Sequence, residues 1–274
     1  MKGLLFYDEA GAKRNEWFIR RLQTLAEQEN MELELRIFYG EGDLEELKTQ
    51  ALPEFALVRC IAPQLNAALE ALGVRVYNNA KTSKIANDKW ETFAACRAWN
   101  IPVLETELFG EGVRYSNAAL EFPCVCKTTD GHGGKEVFWI NDEEDLQRVQ
   151  EQTRGRRKVL QKPNSILGKD VRVYAVGGEI LAAVARSSET DFRSNFSLGG
   201  RVELVEPDAV QSQIVKTLYE KLKFDFVGVD FLPTQKGWVL NEIEDAAGAR
   251  MLYKSSDIDF AAQIIKRIKQ TQKA

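Results

Sequence analysis

Three carboxylates near the end of the chain are the residues best placed to do chemistry. Asp230 sits in the apolar run Val-Gly-Val-Asp-Phe-Leu, and Glu242 and Glu244 lie two apart in Val-Leu-Asn-Glu-Ile-Glu. Residues two apart on a strand share a face, and a turn at Lys236-Gly237 makes the two runs neighbours. Carboxylates gathered on one sheet face are costly unless compensated. A hard divalent cation held through oxygen is the natural partner, and ion pairs with Arg172 or Arg186 are the alternative.

A second set suits phosphate. The loop Asp130-Gly131-His132-Gly133-Gly134-Lys135 lies between two strand-like runs. Its glycines let backbone N–H groups approach an anion closely, although a plain hairpin has the same composition. Lys127 directly precedes the loop and Lys89 lies in an earlier helix, two point charges of the kind phosphates need. Asp170, Arg172 and Tyr174 alternate on one strand, Arg186 ends its hairpin partner, and Arg193 and Asn195 follow. Arginine binds phosphate through paired N–H groups and stabilises charge on a transferring phosphoryl group. Together these sets suggest a nucleoside triphosphate held by a glycine loop, lysines and metal. The Gly-x-x-x-x-Gly-Lys-Ser/Thr loop of the P-loop enzymes and the His-Arg-Asp and Asp-Phe-Gly signatures of protein kinases are absent.

The elements that must position these residues fall into two styles. Up to about residue 77, strands alternate with helices: Gly3–Tyr7, Leu33–Ile37, Phe55–Cys60 and Val74–Tyr77 as strands, with a helix over 15–28 burying Trp17, Phe18, Leu22 and Leu25, and another over 63–72. This predicts a small Rossmann-like α/β domain over residues 1–82, without a dinucleotide Gly-x-Gly-x-x-Gly. Beyond a linker at 78–83 the pattern becomes α+β. One helix is predicted over 83–99, then strands at 123–128, 136–140 and 158–162, and a helix over 142–152. Further strands follow at 171–176 and 179–186, flanking the hairpin signal Gly177-Gly178, and at 226–232 and 238–243. Helices are predicted over 207–222 and 258–271.

Composition narrows the function. The 274 residues suit two domains, and 44% hydrophobic with 28% charged residues excludes a disordered chain or a disulfide scaffold. A net charge of −4 argues against a dedicated nucleic-acid binder. The single histidine, His132, excludes a mechanism built on several histidines. No apolar run reaches the roughly 20 residues of a membrane span, and no cleavable leader is evident. The four cysteines lack metal or redox spacing, so reduced thiols and a cytoplasmic location are expected.

The order of these sets resembles the ATP-grasp superfamily, and within it the RimK-type carboxylate–amine ligases. The resemblance runs from about Ser83 to the C-terminus. It is carried by the stretch Gly168–Gly178, by Asp191-Phe-Arg-Ser-Asn195 with Gly199-Gly200, and by Gly228–Leu232 followed by Glu242–Gly248. It implies an ATP-grasp fold over 83–274, with a glycine-loop part at 83–160 and a metal-binding, catalytic part at 161–274. Lys89, Lys127 and the loop with Gly131, Gly133 and Gly134 would meet ATP phosphates. Gln161, Lys162 and Pro163 would hold adenine through backbone groups, and Asp170 would sit near the ribose. Arg193 and Asn195 would hold phosphates or an acyl-phosphate, with Arg172, Arg186 and Arg193 as the catalytic arginines. Asp230, Glu242 and Glu244 would carry two Mg²⁺ ions, or Mn²⁺ in their place. The implied substrate is a small amino acid, a peptide or a protein; neither nucleic acid nor membrane is implied, and a homo-oligomer stays open. The alternatives are an ATP-grasp kinase for a small molecule and a non-catalytic ATP-binding regulator. Two departures stand out: Glu244 occupies a position where the family usually has Asn, and Ala247 one where it has Pro.

Overall fold

The apolar runs of the N-terminal part pair as parallel strands, as their separation by helices requires. In the computed structural model, which describes residues 1–110, 120–134, 136–188 and 201–272, this part contains β1 (Lys2–Tyr7), α1 (Glu9–Arg14), α2 (Glu16–Gln28), β2 (Glu32–Ile37), α3 (Glu41–Leu47), β3 (Phe55–Val58), α4 (Pro63–Ala71) and β4 (Arg75–Tyr77). The sheet order is β2-β1-β3-β4, all parallel. The apolar stripe of α2 runs through Phe18, Ile19, Leu22 and Ala26. Trp17, expected inward, lies off that stripe, is 61% exposed and meets Tyr253 edge-on.

The single helix predicted over 83–99 is two helices, α5 (Ala80–Ala86) and α6 (Lys89–Ala98). The Asp88 carboxylate caps α6 by accepting the N–H groups of Trp90 and Glu91, and a side chain that satisfies the orphan amides of a helix start defines a new helix. The break places Lys89 in the first turn of α6.

Two antiparallel sheets follow. The first is formed by β5 (Thr106–Phe109), β6 (Cys124–Thr128), β7 (Val137–Ile140) and β8 (Lys158–Gln161), with α7 (Glu143–Gln152) between β7 and β8. Its order is β5-β8-β6-β7. The second contains β9 (Lys169–Val176), β10 (Glu179–Ser187), β11 (Arg201–Val205), β12 (Phe226–Thr234) and β13 (Gly237–Glu244), in the order β11-β10-β9-β12-β13. α8 (Ala209–Leu222) precedes β12, and α9 (Arg250–Ser255) and α10 (Phe260–Gln272) close the described chain. The edge strands β5 and β11 and the short helices α1 and α9 were not predicted. All four cysteines are buried and unpaired, and no helix among the described residues is long and apolar enough to cross a membrane.

Period-two alternation divides the larger sheet into two faces. Val171, Val173, Val227, Val229 and Phe231 point to α8, where Ile214, Leu218 and Leu222 cover them. On the other face Tyr174 and Phe226 join Phe260 and Ile264 of α10, in a core continuous with Leu5, Phe18 and Leu22 of the parallel part. Asn78, in the predicted linker, is buried; its Oδ1 accepts the N–H groups of Asp225 and Phe226.

Candidate active site

The face shared with Tyr174 carries a charged row across the larger sheet. Antiparallel register sets Asp170 opposite Arg186, Asp230 opposite Arg172, and Asp230 opposite Glu242. The Arg172 guanidinium holds Asp230 through both carboxylate oxygens, at 2.6 and 2.7 Å, and reaches Glu244 at 2.6 Å. Arg186 holds Asp170 through two contacts of 2.5 Å and adds a 2.8 Å bond to Asp230. Burial pushes the Asp230 carboxyl up, but the two guanidiniums outweigh it and hold it well below the usual carboxylate range. Burial and the neighbouring Asp230 and Glu242 push Glu244 up, despite Arg172.

A bulge completes the row. Asp230 pairs with Glu242 but Phe231 pairs with Leu240, so Asn241 is the extra residue of β13. The bulge turns Leu240 and Ile243 to the same core and Asn241 and Glu242 to the same cleft. Asn241 accepts from Lys127 Nζ at 3.0 Å, and Gln161 Oε1 accepts from the same ammonium at 2.7 Å. Glu242 pairs with Lys89 at 3.0 Å. Burial pushes Glu242 up, yet Lys89 beside it leaves the carboxyl below its usual range. Burial and the nearby Lys89 push Lys127 down to about 8.

The glycine loop lies over these groups. Lys89 Nζ also donates to the Gly131 carbonyl. A Cβ at Gly131 would come within 2.3 Å of Thr128 Oγ1 and 2.6 Å of Glu136 Oε2, so a larger residue there would have to displace both side chains. Gly133 and Gly134 hold φ of 69° and 76°, a region that favours glycine. Arg156 fastens the loop from below by pairing with Glu136 and, at 2.6 Å, with Asp130.

Between the two antiparallel sheets is a cleft. Its wall includes Lys89, Lys127, Gly131, Gly133 and Gly134 on the loop side, and Asp170, Arg186, Asp230 and Glu242 on the row. Gln161 and Lys162 also reach it. The Lys162 N–H donates to the Glu105 carbonyl at 2.9 Å, which ties the segment after β8 to the chain that leads into β5. Pro163, Arg172 and Glu244 are not on the cleft wall; Arg172 stands behind it as the clamp on Asp230 and Glu244. Arg193, Asn195 and Lys135 lie outside the described residues. Sequence patterning missed Asn241, Glu136 and Arg156, whose roles come from a bulge and from partners distant in the chain.

The carboxylates fit a cation. One ligand oxygen each from Asp230, Glu242 and Glu244 lies within 4.8 Å of the others, a purely oxygen set of the kind Mg²⁺ takes. Each carboxylate oxygen has two lone pairs, so the single guanidinium contact of Asp230 Oδ1 leaves one lone pair there.

Residues 86–268 match the RimK-like ATP-grasp domain family. A probable alpha-L-glutamate ligase of Haemophilus ducreyi is 26% identical over 255 residues, covering 85% of this chain and 82% of its own. The glutamate–LysW ligase ArgX of Sulfurisphaera tokodaii is 26% identical over 215 residues, 75% of this chain and 76% of its own. Among solved structures, a D-alanine–D-alanine ligase from Bacillus anthracis complexed with ATP shares the fold, with a TM-score of 0.78 at 18% identity over 99% of this chain and 97% of that one.

Proposed function

The chain belongs to the RimK-like ATP-grasp family, and we propose that it joins the carboxylate of an amino acid or peptide to an amine, converting ATP to ADP and phosphate. A carboxylate oxygen attacks the γ-phosphorus, and the bond from that phosphorus to the β-phosphate oxygen breaks. The products are an acyl-phosphate and ADP. The amine nitrogen then attacks the acyl carbon, the carbon–oxygen bond to phosphate breaks, and the amine releases a proton. The products of this step are an amide and phosphate.

One observation carries this reading: Lys89, Lys127 and the glycine loop face the Asp230–Glu242 row across one cleft. Phosphoryl transfer asks a protein mainly for positioning and charge stabilisation, and this cleft supplies both without a histidine base. Lys89 and Lys127 bind and orient the phosphates; Arg186, on the wall, faces charge developing during transfer. Asp230, Glu242 and Glu244 would hold Mg²⁺, as two ions, which supply positive charge to the phosphate oxygens when bound. The names of the relatives, an alpha-L-glutamate ligase and a glutamate–LysW ligase, support an amino acid as one of the two substrates.

The test is ADP release from ATP and Mg²⁺ with pooled amino acids and peptides, with mass analysis of the product. An amide whose formation stops in Glu242→Ala is the expected result. A phosphate ester would replace the ligase reading with a kinase, and full turnover in Glu242→Ala would remove the site.

A further inference from the structure

The two lysines of the cleft are held in different ways. Lys89 pairs with a carboxylate, Glu242. Lys127 donates to two neutral amide oxygens, Gln161 Oε1 at 2.7 Å and Asn241 Oδ1 at 3.0 Å.

Strand register assembles this arrangement. β8 lies between β5 and β6, so Gln161 stands opposite Thr106 on one side and Val125 on the other. Lys127, two residues from Val125, shares its face. Thr106, Gln161 and Lys127 therefore form a row on one face of the four-stranded antiparallel sheet. Asn241 comes from the other antiparallel sheet, where the bulge turns it to the cleft. The chain that leads into β5 is tied to that bulge: the Leu240 N–H donates to the Pro102 carbonyl at 2.8 Å, and Val103 bridges to Leu240. The row and the bulge are thus fixed to each other, and the Lys127 ammonium joins the two sheets.

The direction of each bond in the row is determined. A hydroxyl has one hydrogen to donate. Thr106 Oγ1 donates it to the Leu104 carbonyl at 2.9 Å, so toward Gln161 it can only accept. Gln161 must then present Nε2 to Thr106, at 3.0 Å, and Oε1 to Lys127. With the amide turned over, its two N–H bonds would face the ammonium, donor against donor. Both Thr106 and Gln161 are buried. An ammonium has three hydrogens to donate. Gln161 and Asn241 take two, and the third serves a ligand in the cleft, whose wall includes Lys127. Amide oxygens fix the ammonium without cancelling its charge. Carboxylates in the same places would fix it equally well and compete with a phosphate for that charge.

We propose that Gln161 and Asn241 are positioning residues that form a neutral cradle for Lys127, keeping its full charge for a phosphate, and that Thr106 sets the orientation of the cradle. The proposal rests on the ligase reading only in taking that phosphate to be part of ATP.

The experiment is calorimetric ATP binding to the full chain with Mg²⁺, below and above pH 8. Gln161→Glu and Asn241→Asp keep shape and acceptor and add a charge. In each, ATP affinity below pH 8 should fall about tenfold, the worth of one charge-assisted contact, with the melting midpoint kept. The fall in affinity above pH 8 should also move to higher pH. The new carboxylate joins Glu242 in favouring the charged lysine, against burial and Lys89. Residues that merely held the lysine in place would be replaced by their carboxylates without loss, so undiminished affinity in either folded variant overturns the cradle. Should Gln161→Glu fail to fold, Asn241→Asp, at the bulge, decides. Thr106→Val should lower ATP affinity several-fold, and Thr106→Ser, which restores the hydroxyl, should recover it; equal defects in the two would overturn the part given to Thr106. Parallel ADP release separates the two readings. Affinity lost in the carboxylate variants, with no ADP release by wild type on any amino acid, removes the ligase and leaves the cradle. Amino-acid-dependent ADP release by wild type, with ATP affinity unmoved in the variants, removes the cradle and leaves the ligase.

Discussion

The Lys89 ammonium stands 3.0 Å from Glu242 and donates at the same time to the Gly131 carbonyl. A cation in the first turn of a helix opposes the helix dipole, so α6 begins with a residue that its own backbone disfavours. The contacts to Glu242 and Gly131 offset this and tie α6, the glycine loop and β13 together across the cleft.

Lys89→Met is therefore expected to act twice. Turnover falls about 10²- to 10³-fold, the usual effect of removing one preorganised charge-stabilising donor, and the KM for ATP rises. Glu242, largely buried, loses its partner, which costs about 3 kcal/mol. Urea unfolding of the ATP-free protein reads the second effect alone, and steady-state kinetics read the first.

Lys127 predicts a pH dependence. Its ammonium, pushed down to about 8 by burial and by Lys89, regains its charge when phosphates arrive. Above pH 8 the free protein holds it neutral and must take up a proton to bind ATP. ATP affinity should thus fall as pH rises through 8, by up to about tenfold per pH unit. Calorimetry at pH 8.5 in two buffers of different ionisation enthalpy should show proton uptake, and Lys127→Arg should flatten the slope. Stability moves the other way. Between the folded value and the ordinary lysine value of 10.5, the unfolded chain binds more protons than the folded one. The Lys127 contribution to stability therefore rises with pH across that window.

Asp230 has a structural task separate from any metal. It accepts from both Arg172 and Arg186 deep in the sheet. Asp230→Asn should leave two buried guanidiniums short of countercharge and destabilise the protein by about 3–5 kcal/mol. The fall should be visible in denaturant midpoints without Mg²⁺ or ATP, and a midpoint unchanged from wild type would remove the clamp.

The parts of this site that sequence could reveal are those set by periodicity. Alternation puts Asp170 and Arg172 on one face of their strand and Glu242 and Glu244 on one face of theirs; the Gly177-Gly178 turn sets the strand of Arg186 beside the first pair, and the Lys236-Gly237 turn sets the strand of Asp230 beside the second. The start of α6 was legible only in retrospect: Asp88 precedes Lys89 as a capping residue, but the helical pattern on either side masks the break. Partners at long separation were not legible. Arg172 reaches Glu244 across 72 positions, and Lys127 reaches Asn241 across 114. Register, and the bulge that turns Asn241 into the cleft, decide such contacts.

Glu244 stands where the resemblance places an asparagine, and the structure gives the glutamate a partner. Its carboxylate takes the second bond of Arg172 Nη2 at 2.6 Å, beside the bond to Asp230. Burial and two neighbouring carboxylates disfavour its charge, and Arg172 sustains it. In Glu244→Asn the amide oxygen keeps one neutral ligand, while the row loses one negative charge and Arg172 keeps its two-point grip on Asp230. Turnover at saturating Mg²⁺ should stay within tenfold of wild type, and half-saturation by Mg²⁺ should rise several-fold, because ligand charge sets the affinity of an oxygen site. Stability should fall by about 1 kcal/mol, less than in Asp230→Asn, since Arg172 loses one contact and keeps its two-point grip on Asp230, whereas removing the Asp230 charge costs Arg172 and Arg186 three contacts together. Mg²⁺ titrations of ADP release on the two variants measure both effects, and a Mg²⁺ dependence unmoved in Glu244→Asn would take Glu244 out of the metal set.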